Sequence, residues 1–268
     1  MLKTKSMKKV CFIIGASSGI GESCAQKFLS EGYVVYNGSR NPSTVDGVKN
    51  LTLDVATEST IDEAISIIEE EQGGLDVLVY SAGYSMMAPV EYAKQSDYRY
   101  LMEVNFFGFV LTVQKAMPLL VRRHGRIIAL SSIGAVVPIG FDAFYSASKA
   151  ALNMFIRELN IEIAKKGVKA IAVMPGGTKT SFTRDRNVYS EEEAKEYSEY
   201  VKNASKALGE IEQKGMSPEE VAETVYRAAT GKTPEIISAG AVNKAIHALS
   251  RIMPTLETRM ISKLIFRV

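Results

Sequence analysis

Tyr145 and Lys149 stand four residues apart in Tyr145-Ser146-Ala147-Ser148-Lys149, a spacing that puts a phenol and an ammonium on one face of a helix. A carbonyl that receives hydride at carbon needs a proton at oxygen. A phenol with a pKa near 10 is a poor acid-base group at pH 7 until a nearby cation stabilises its phenolate, and Lys149 can be that cation. The pair alone carries little, because a chain with 12 tyrosines produces such spacings by chance. Ser132, thirteen residues before Tyr145, and Asn105, just after Met102-Glu103-Val104, make coincidence a poor account. Gly15-Ala16-Ser17-Ser18-Gly19-Ile20-Gly21 follows a short apolar run and opens a helical segment. Glycines there permit a tight turn and close backbone approach, while the free N–H groups and positive end of the helix favour a pyrophosphate. Three residues separate Gly15 from Gly19, which sets the loop apart from the G-x-G-x-x-G spacing.

Plainer readings exist for each. Ser132 can cap a turn at a strand end, Asn105 can bond backbone carbonyls of its own helix, and a glycine-rich turn can serve no ligand at all. Asp54, just before Val55, reads as an N-cap for a helix near Glu58. His124 in Arg122-Arg123-His124-Gly125 reads as a cation at a helix C-terminus before a C′ glycine, and Cys11 reads as core.

These residues need a scaffold, and the apolar pattern supplies one. Val10 to Ile14, Val34 to Tyr36, Leu51 to Leu53, Val77 to Tyr80, Ile127 to Leu130 and Ile171 to Met174 are short apolar runs flanked by turn residues, as expected of strands covered on both faces. Helical periods fill residues 20 to 31, 58 to 71, 96 to 121, 143 to 165 and 217 to 230. Such alternation demands right-handed crossovers and a parallel sheet between two helical layers, a doubly wound α/β fold. The pattern breaks at Thr178 to Met216, an insertion that reads as a lid or a helical excursion. Nothing marks a domain boundary, so residues 1 to 268 read as one Rossmann-type domain.

With order and spacing in view, the chain resembles the short-chain dehydrogenase/reductase family from Val10 to about Ile237. The resemblance rests on Gly15 to Gly21, Asp54-Val55, Ala82-Gly83, Val104-Asn105, Ser131-Ser132, Tyr145 to Lys149 and Pro175-Gly176. It departs at Ile14, where the family usually has threonine, and at Tyr80-Ser81, where it usually has two asparagines. The resemblance implies a mostly parallel seven-stranded Rossmann sheet. It further implies that Tyr145 is the acid-base group, that Ser132 bonds the substrate oxygen, that Lys149 binds the nicotinamide ribose hydroxyls and that Asn105 holds a relay water. Gly15, Ser17, Ser18, Gly19, Ile20, Gly21, Arg40, Asp54, Val55, Ala82, Gly83, Tyr145, Lys149, Pro175, Gly176, Thr178 and Thr180 are the expected cofactor contacts, with Asp54 on the adenine. Loops and C-terminal region look most like the subgroup of hydroxysteroid and retinol dehydrogenases and acyl-dihydroxyacetone-phosphate reductases.

The second strand ends Asn37-Gly38-Ser39-Arg40, with no carboxylate to accept from a ribose 2′-hydroxyl. Ser39 brings no repulsion toward a 2′-phosphate and Arg40 offers a planar fork, which predicts NADP(H) over NAD(H) and an NADP(H)-dependent carbonyl reductase or alcohol dehydrogenase. Met86, Met87, Val136, Val137, Ile139 and Phe141 are expected around an apolar substrate. A silent NADP(H)-binding sensor is the alternative, disfavoured because a sensor needs no proton relay.

Composition excludes other classes. The chain is 46% hydrophobic and 23% charged with a net charge of +2, so a basic field that would draw nucleic acid is missing. Two cysteines and two histidines support neither a disulfide framework nor a recognisable metal set, and they fit a reducing, cytoplasmic setting. The lysines at 3, 5, 8 and 9 ahead of Val10 to Ile14 mimic a signal peptide, yet the apolar run is short and leads into the glycine loop. Residues 1 to 6 read as a tail, and no run of about 18 apolar residues suggests a membrane span.

Relatives pair through the helices flanking the serine strand, so a homodimer or homotetramer is expected, with Leu101, Phe109, Val113, Leu152, Phe155 and Leu159 on faces that serve core or interface. From Val242 to Val268 apolar residues recur at helical spacing among Lys244, Arg251, Arg259, Lys263 and Arg267, against the single Glu257. Pro254 should divide this segment into two amphipathic helices. The segment is expected to roof the substrate pocket or meet a partner subunit, with peripheral membrane contact the lesser reading.

Overall fold

The computed structural model describes residues 8–253. Strand β1 (Val10–Ile14) is buried along all five residues, which is why its side chains do not alternate in polarity: helices cover it on both sides. The chain continues as α1 (Gly19–Ser30), β2 (Val34–Ser39), β3 (Lys49–Thr52), α2 (Glu58–Gln72), β4 (Val77–Tyr80), β5 (Met86–Met87), α3 (Gln95–Met102), a π-helical turn (Glu103–Phe107) and α4 (Gly108–Arg123). Then come β6 (Arg126–Leu130), α5 (Ala143–Ile163), β7 (Lys169–Met174), β8 (Asn187–Val188), α6 (Glu191–Ala194), α7 (Ser198–Gln213), α8 (Pro218–Thr230), β9 (Ile236–Ser238) and α9 (Ala241–Ile252).

Seven strands form one sheet in the order β3-β2-β1-β4-β6-β7-β9, every neighbouring pair parallel. The order reverses between β1 and β4, and such a reversal opens a crevice at the carboxyl ends of the strands. On one face α2, α4 and α5 pack Ile61, Phe109 and Leu152 against Phe12 and Leu78. On the other, α1 and α8 pack Phe28 and Val225 against Ile13 and Val79. Each such side chain, removed from water, contributes about 1.5–3 kcal/mol.

Several expectations change in detail. The helix expected over 96 to 121 runs from Gln95 to Arg123 with the π turn inside it. By length and composition that helix could cross a membrane, contrary to the expectation that no segment could. Its place is the core, where Leu101, Phe109, Val113, Ala116, Leu119 and Leu120 are buried. Leu152 and Leu159 of α5 are buried too, and Phe155 packs against the same core. None of these is free for an interface; the large hydrophobic residues these helices leave exposed are Tyr100, Phe107, Met154 and Ile161.

His124, not Gly125, takes the left-handed turn at the end of α4, at φ 50°. The insertion is helical, built on α7, and a two-residue ribbon of β5 and β8 ties it down. Helix α9 matches the first of the two expected C-terminal helices, whereas Pro254, the second helix and residues 1 to 6 lie outside the described residues.

Candidate active site

A cavity of about 580 Å³ opens where the sheet order reverses, lined by Ile14, Ser39, Leu53, Ser81, Leu130 and Pro175 at or just past the strand ends. Gly15 makes the first turn with φ +88°, and a Cβ there would lie 3.0 Å from the Ala82 amide nitrogen. At Gly21 an added Cβ would sit 2.0 Å from the Gly15 carbonyl oxygen, so the helix enters the turn only as glycine. Ser18 occupies the N-cap of α1 without a side-chain capping bond, and the first N–H groups of the helix have no internal partners. This cradle, tight at two glycines and lined with unclaimed backbone donors, fits a dinucleotide pyrophosphate.

The loop is held from below by a residue the sequence reading passed over. Asn37, fully buried in β2, accepts the Ala16 N–H at 2.9 Å and donates to Ser39 Oγ at 3.0 Å and Asn50 Oδ1 at 2.9 Å. It joins the glycine turn to the Ser39-Arg40 turn, where Arg40 is exposed and lines the cavity. Asp54 also lines it, and one carboxylate oxygen accepts the Ala56 N–H at 3.0 Å. That bond makes a local turn instead of a helix cap; Thr57 is the N-cap of α2.

Ser132 leaves β6 and accepts the Gly134 N–H at 3.1 Å, so it caps a short turn while its hydroxyl lines the cavity. Tyr145 and Lys149 come one turn apart from α5, with Lys149 Nζ 5.7 Å from the Tyr145 ring centre. Burial pushes the Tyr145 phenol above its ordinary pKa, against a lowering by the nearby Ser132 hydroxyl. Burial pulls Lys149 down to about 8, and its ammonium donates to the Leu130 carbonyl at 2.8 Å.

Asn105 does not line the cavity. It lies buried in the π turn, accepts the Tyr84 N–H at 3.0 Å and donates to the Tyr84 carbonyl at 2.9 Å and to Ser148 Oγ at 3.1 Å. A Cβ on Gly83 would sit 3.0 Å from Asn105 Oδ1 and 3.4 Å from Lys149 Nζ, so Gly83 keeps this space open. Gly21 likewise stays off the wall, buried in α1. The remaining expected cofactor residues, Gly15, Ser17, Ser18, Gly19, Ile20, Arg40, Asp54, Val55, Ala82, Gly83, Tyr145, Lys149, Pro175, Gly176, Thr178 and Thr180, all line the cavity.

The substrate side differs from expectation. Of the six apolar residues expected there only Ile139 lines the cavity; Met86 and Met87 are buried with Tyr189 and Val201 of the insertion. The wall consists of Tyr84, Ile139, Phe182 and Leu208, above a charged floor of Asp142, Arg186 and Glu212. Ser85 Oγ donates to Asp142 at 2.9 Å and accepts from Arg186 Nε at 3.2 Å, while another Arg186 nitrogen pairs with Glu212. Arg186 Nη1 is buried with no partner among the described residues. Burial lifts the Asp142 carboxyl to about 7. Asp142 sits three residues before Tyr145, a spacing that could have marked it; nothing in the sequence points to Arg186 or Glu212.

A family profile described as short chain dehydrogenase matches residues 9–191. A 3-ketodihydrosphingosine reductase of Bacteroides thetaiotaomicron is 32% identical over 84% of this chain and 85% of its own. A short-chain dehydrogenase from Streptomyces avermitilis superposes with TM-score 0.81 at 25% identity, covering 97% of this chain and 98% of that one. Another from Burkholderia cenocepacia, in complex with NADP, gives TM-score 0.75 at 25% identity over 95% and 98%.

Proposed function

The chain belongs to the short-chain dehydrogenase family of oxidoreductases, and from that premise we propose that it is an NADP(H)-dependent reductase. It converts a carbonyl on a partly apolar substrate to an alcohol, with Tyr145 as proton donor. The observation that carries this reading is the meeting of Ser132, Tyr145 and Lys149 on the same cavity that the glycine loop lines.

When bound, the nicotinamide cofactor supplies the hydride. The chain's own residues do the rest. Backbone donors of the glycine turn and α1 hold the pyrophosphate, and Ser39 and Arg40 stand where a 2′-phosphate needs donors and no carboxylate. The NADP in the Burkholderia relative supports the same preference. Ser132 holds the carbonyl oxygen against the Tyr145 phenol. Burial raises the pKa of that phenol, so it is protonated at neutral pH, and the proton leaves only as Ser132 and Lys149 stabilise the phenolate. The ammonium of Lys149 steadies the phenolate that remains.

Aromatic and aliphatic walls at Tyr84, Ile139, Phe182 and Leu208 suit an apolar portion of the substrate, and the floor at Asp142 and Arg186 suits a hydrogen-bonding group beside it. The Bacteroides relative, named for a 3-keto substrate, agrees with a ketone.

The test is cofactor oxidation with NADPH and NADH over a panel of ketones, aldehydes, quinones and steroids. Tyr145→Phe is expected to lower kcat by about 10²–10⁴ with NADPH binding retained, and Arg40→Ala to weaken NADPH while sparing NADH. A higher kcat/KM with NADH overturns the cofactor preference. Binding of NADPH with no turnover on any carbonyl makes the protein a sensor instead.

A further inference from the structure

Helix α9 turns a mostly polar stripe inward. Asn243 donates to the Ala239 carbonyl at 2.7 Å and His247 Nδ1 lies 3.2 Å from Ser238 Oγ; with Ile246 and Ser250 these form one partly covered stripe. At 100° per residue the side away from it carries Ala241, Ala245, Ala248 and Ile252, with Leu249, Val242 and Met253 along one edge and Lys244 and Arg251 along the other. Val242, Leu249 and Ile252 are 73%, 40% and 77% exposed, and no residue of the helix is fully buried. A helix lying on a folded surface ordinarily points its apolar stripe at the core. A contiguous apolar stripe facing outward marks a site where something else binds.

Charge decides what. Every charged side chain of α9 is a cation, and the sequence from 254 to 268 adds Arg259, Lys263 and Arg267 against the one Glu257. A second copy meeting this face across a two-fold axis would match the patch with itself, setting Lys244 and Arg251 against their like or against the apolar edge at Val242 and Met253. A surface that is apolar within and anionic at its boundary meets both demands: apolar side chains enter the acyl region while flanking Lys and Arg reach the headgroups. Position adds a reason. A Cβ on Gly176 would lie 2.2 Å from Asn243 Oδ1, so α9 is braced on the loop through which Pro175 and Gly176 line the cavity. It does not roof that cavity; no described residue of α9 lines it.

We propose that the outward face of α9 seats the protein on an anionic lipid bilayer, with the mouth of the cavity held near the surface. The test uses the full chain, sedimented with vesicles of phosphatidylcholine alone or doped with phosphatidylglycerol, at low and high salt. The expected result is partition onto the anionic vesicles that salt reverses. Reversal of both cations (Lys244→Glu with Arg251→Glu), or loss of the apolar face (Leu249→Asp with Ile252→Asp), should lower that partition on the order of tenfold or more. Both pairs lie on the surface, so thermal unfolding should match the parent and rule out misfolding. Intact protein left in the supernatant with anionic vesicles at low salt overturns the proposal, as does partition unchanged in both pairs. A fall in sedimenting mass on Leu249→Asp would make the face a subunit contact and overturn it too. None of these readouts uses turnover, so failure here leaves the proposed reductase activity standing.

Discussion

Asn37 divides a single buried amide between the two loops that the nucleotide proposal assigns to the pyrophosphate and to the 2′-phosphate. Removing it in Asn37→Ala strands the Ala16 N–H away from water and costs about 1–3 kcal/mol. Denaturant midpoints should fall accordingly, and the KM for NADPH should rise because the glycine turn loses its brace. In the sequence, an asparagine beside Gly38 reads as a turn former, and only the register of β2 against β1 shows that it points into the protein. Tyr145 and Lys149, proposed to handle the proton, were legible for the opposite reason: their spacing along one helix is local. Asp142 illustrates what burial adds. Desolvation lifts its carboxyl to about 7, so folding favours the protonated acid. That contribution is complete below the ordinary carboxylate range and is lost as pH rises through about 7. Asp142→Asn has no such loss, so its Tm should gain on the parent's between about pH 5 and pH 8; a constant gap across that window would show that Asp142 titrates normally.

The π turn shows how an element can rest on a residue outside it. Tyr80, one of the two departures from the family pattern in the β4 region, donates from its hydroxyl to the Val104 carbonyl at 2.6 Å. Val104 belongs to the π turn that carries Asn105, and a Cβ on Gly108 would come within 2.7 Å of the Tyr80 oxygen. Wide turns of this kind cluster at functional sites; here the turn sets Asn105 beneath Gly83 and beside Ser148. Tyr80→Phe frees a buried carbonyl and should destabilise by about 1 kcal/mol. It should also lower kcat severalfold with the Kd for NADPH unchanged, since the glycine loop is untouched. Equal losses in both would mean that the bond is merely structural. The strands and long helices were legible because continuous apolar runs and 3.6-residue periods are local signals. A π turn inside a helix has no such period, and the β5–β8 ribbon is two residues long. Met86 and Met87 were misplaced because an apolar pair after a glycine turn suits pocket or core alike, and contacts with Tyr189 and Val201, a hundred residues on, decide it.

A homo-oligomer, as proposed for this chain, would form through the back of α5, the helix carrying Tyr145 and Lys149. Tyr145, Lys149, Leu152 and Ile156 share the inward side of α5, all buried, while Met154 and Ile161 lie about 160–180° around it by helical geometry. These two are 54% and 72% exposed, and Phe107 stands exposed in the π turn against which α5 packs. A helix apolar on opposite sides is built to be buried on both. The charges nearby differ from those on α9. Arg157 and Glu158 sit side by side at the surface, so a copy related by a two-fold axis can set opposite charges together. The parent protein is therefore expected to sediment as a dimer or tetramer at micromolar concentration, and Ile161→Asp to sediment as a smaller species. Loss of the second burial should also lower its Tm and, by loosening α5 behind Tyr145, its kcat. Leu249→Asp, on the helix proposed to face lipid, should keep the parent's mass. A monomeric parent, or an Ile161→Asp variant of unchanged mass, would place any subunit contact elsewhere and leave the outer face of α5 in water.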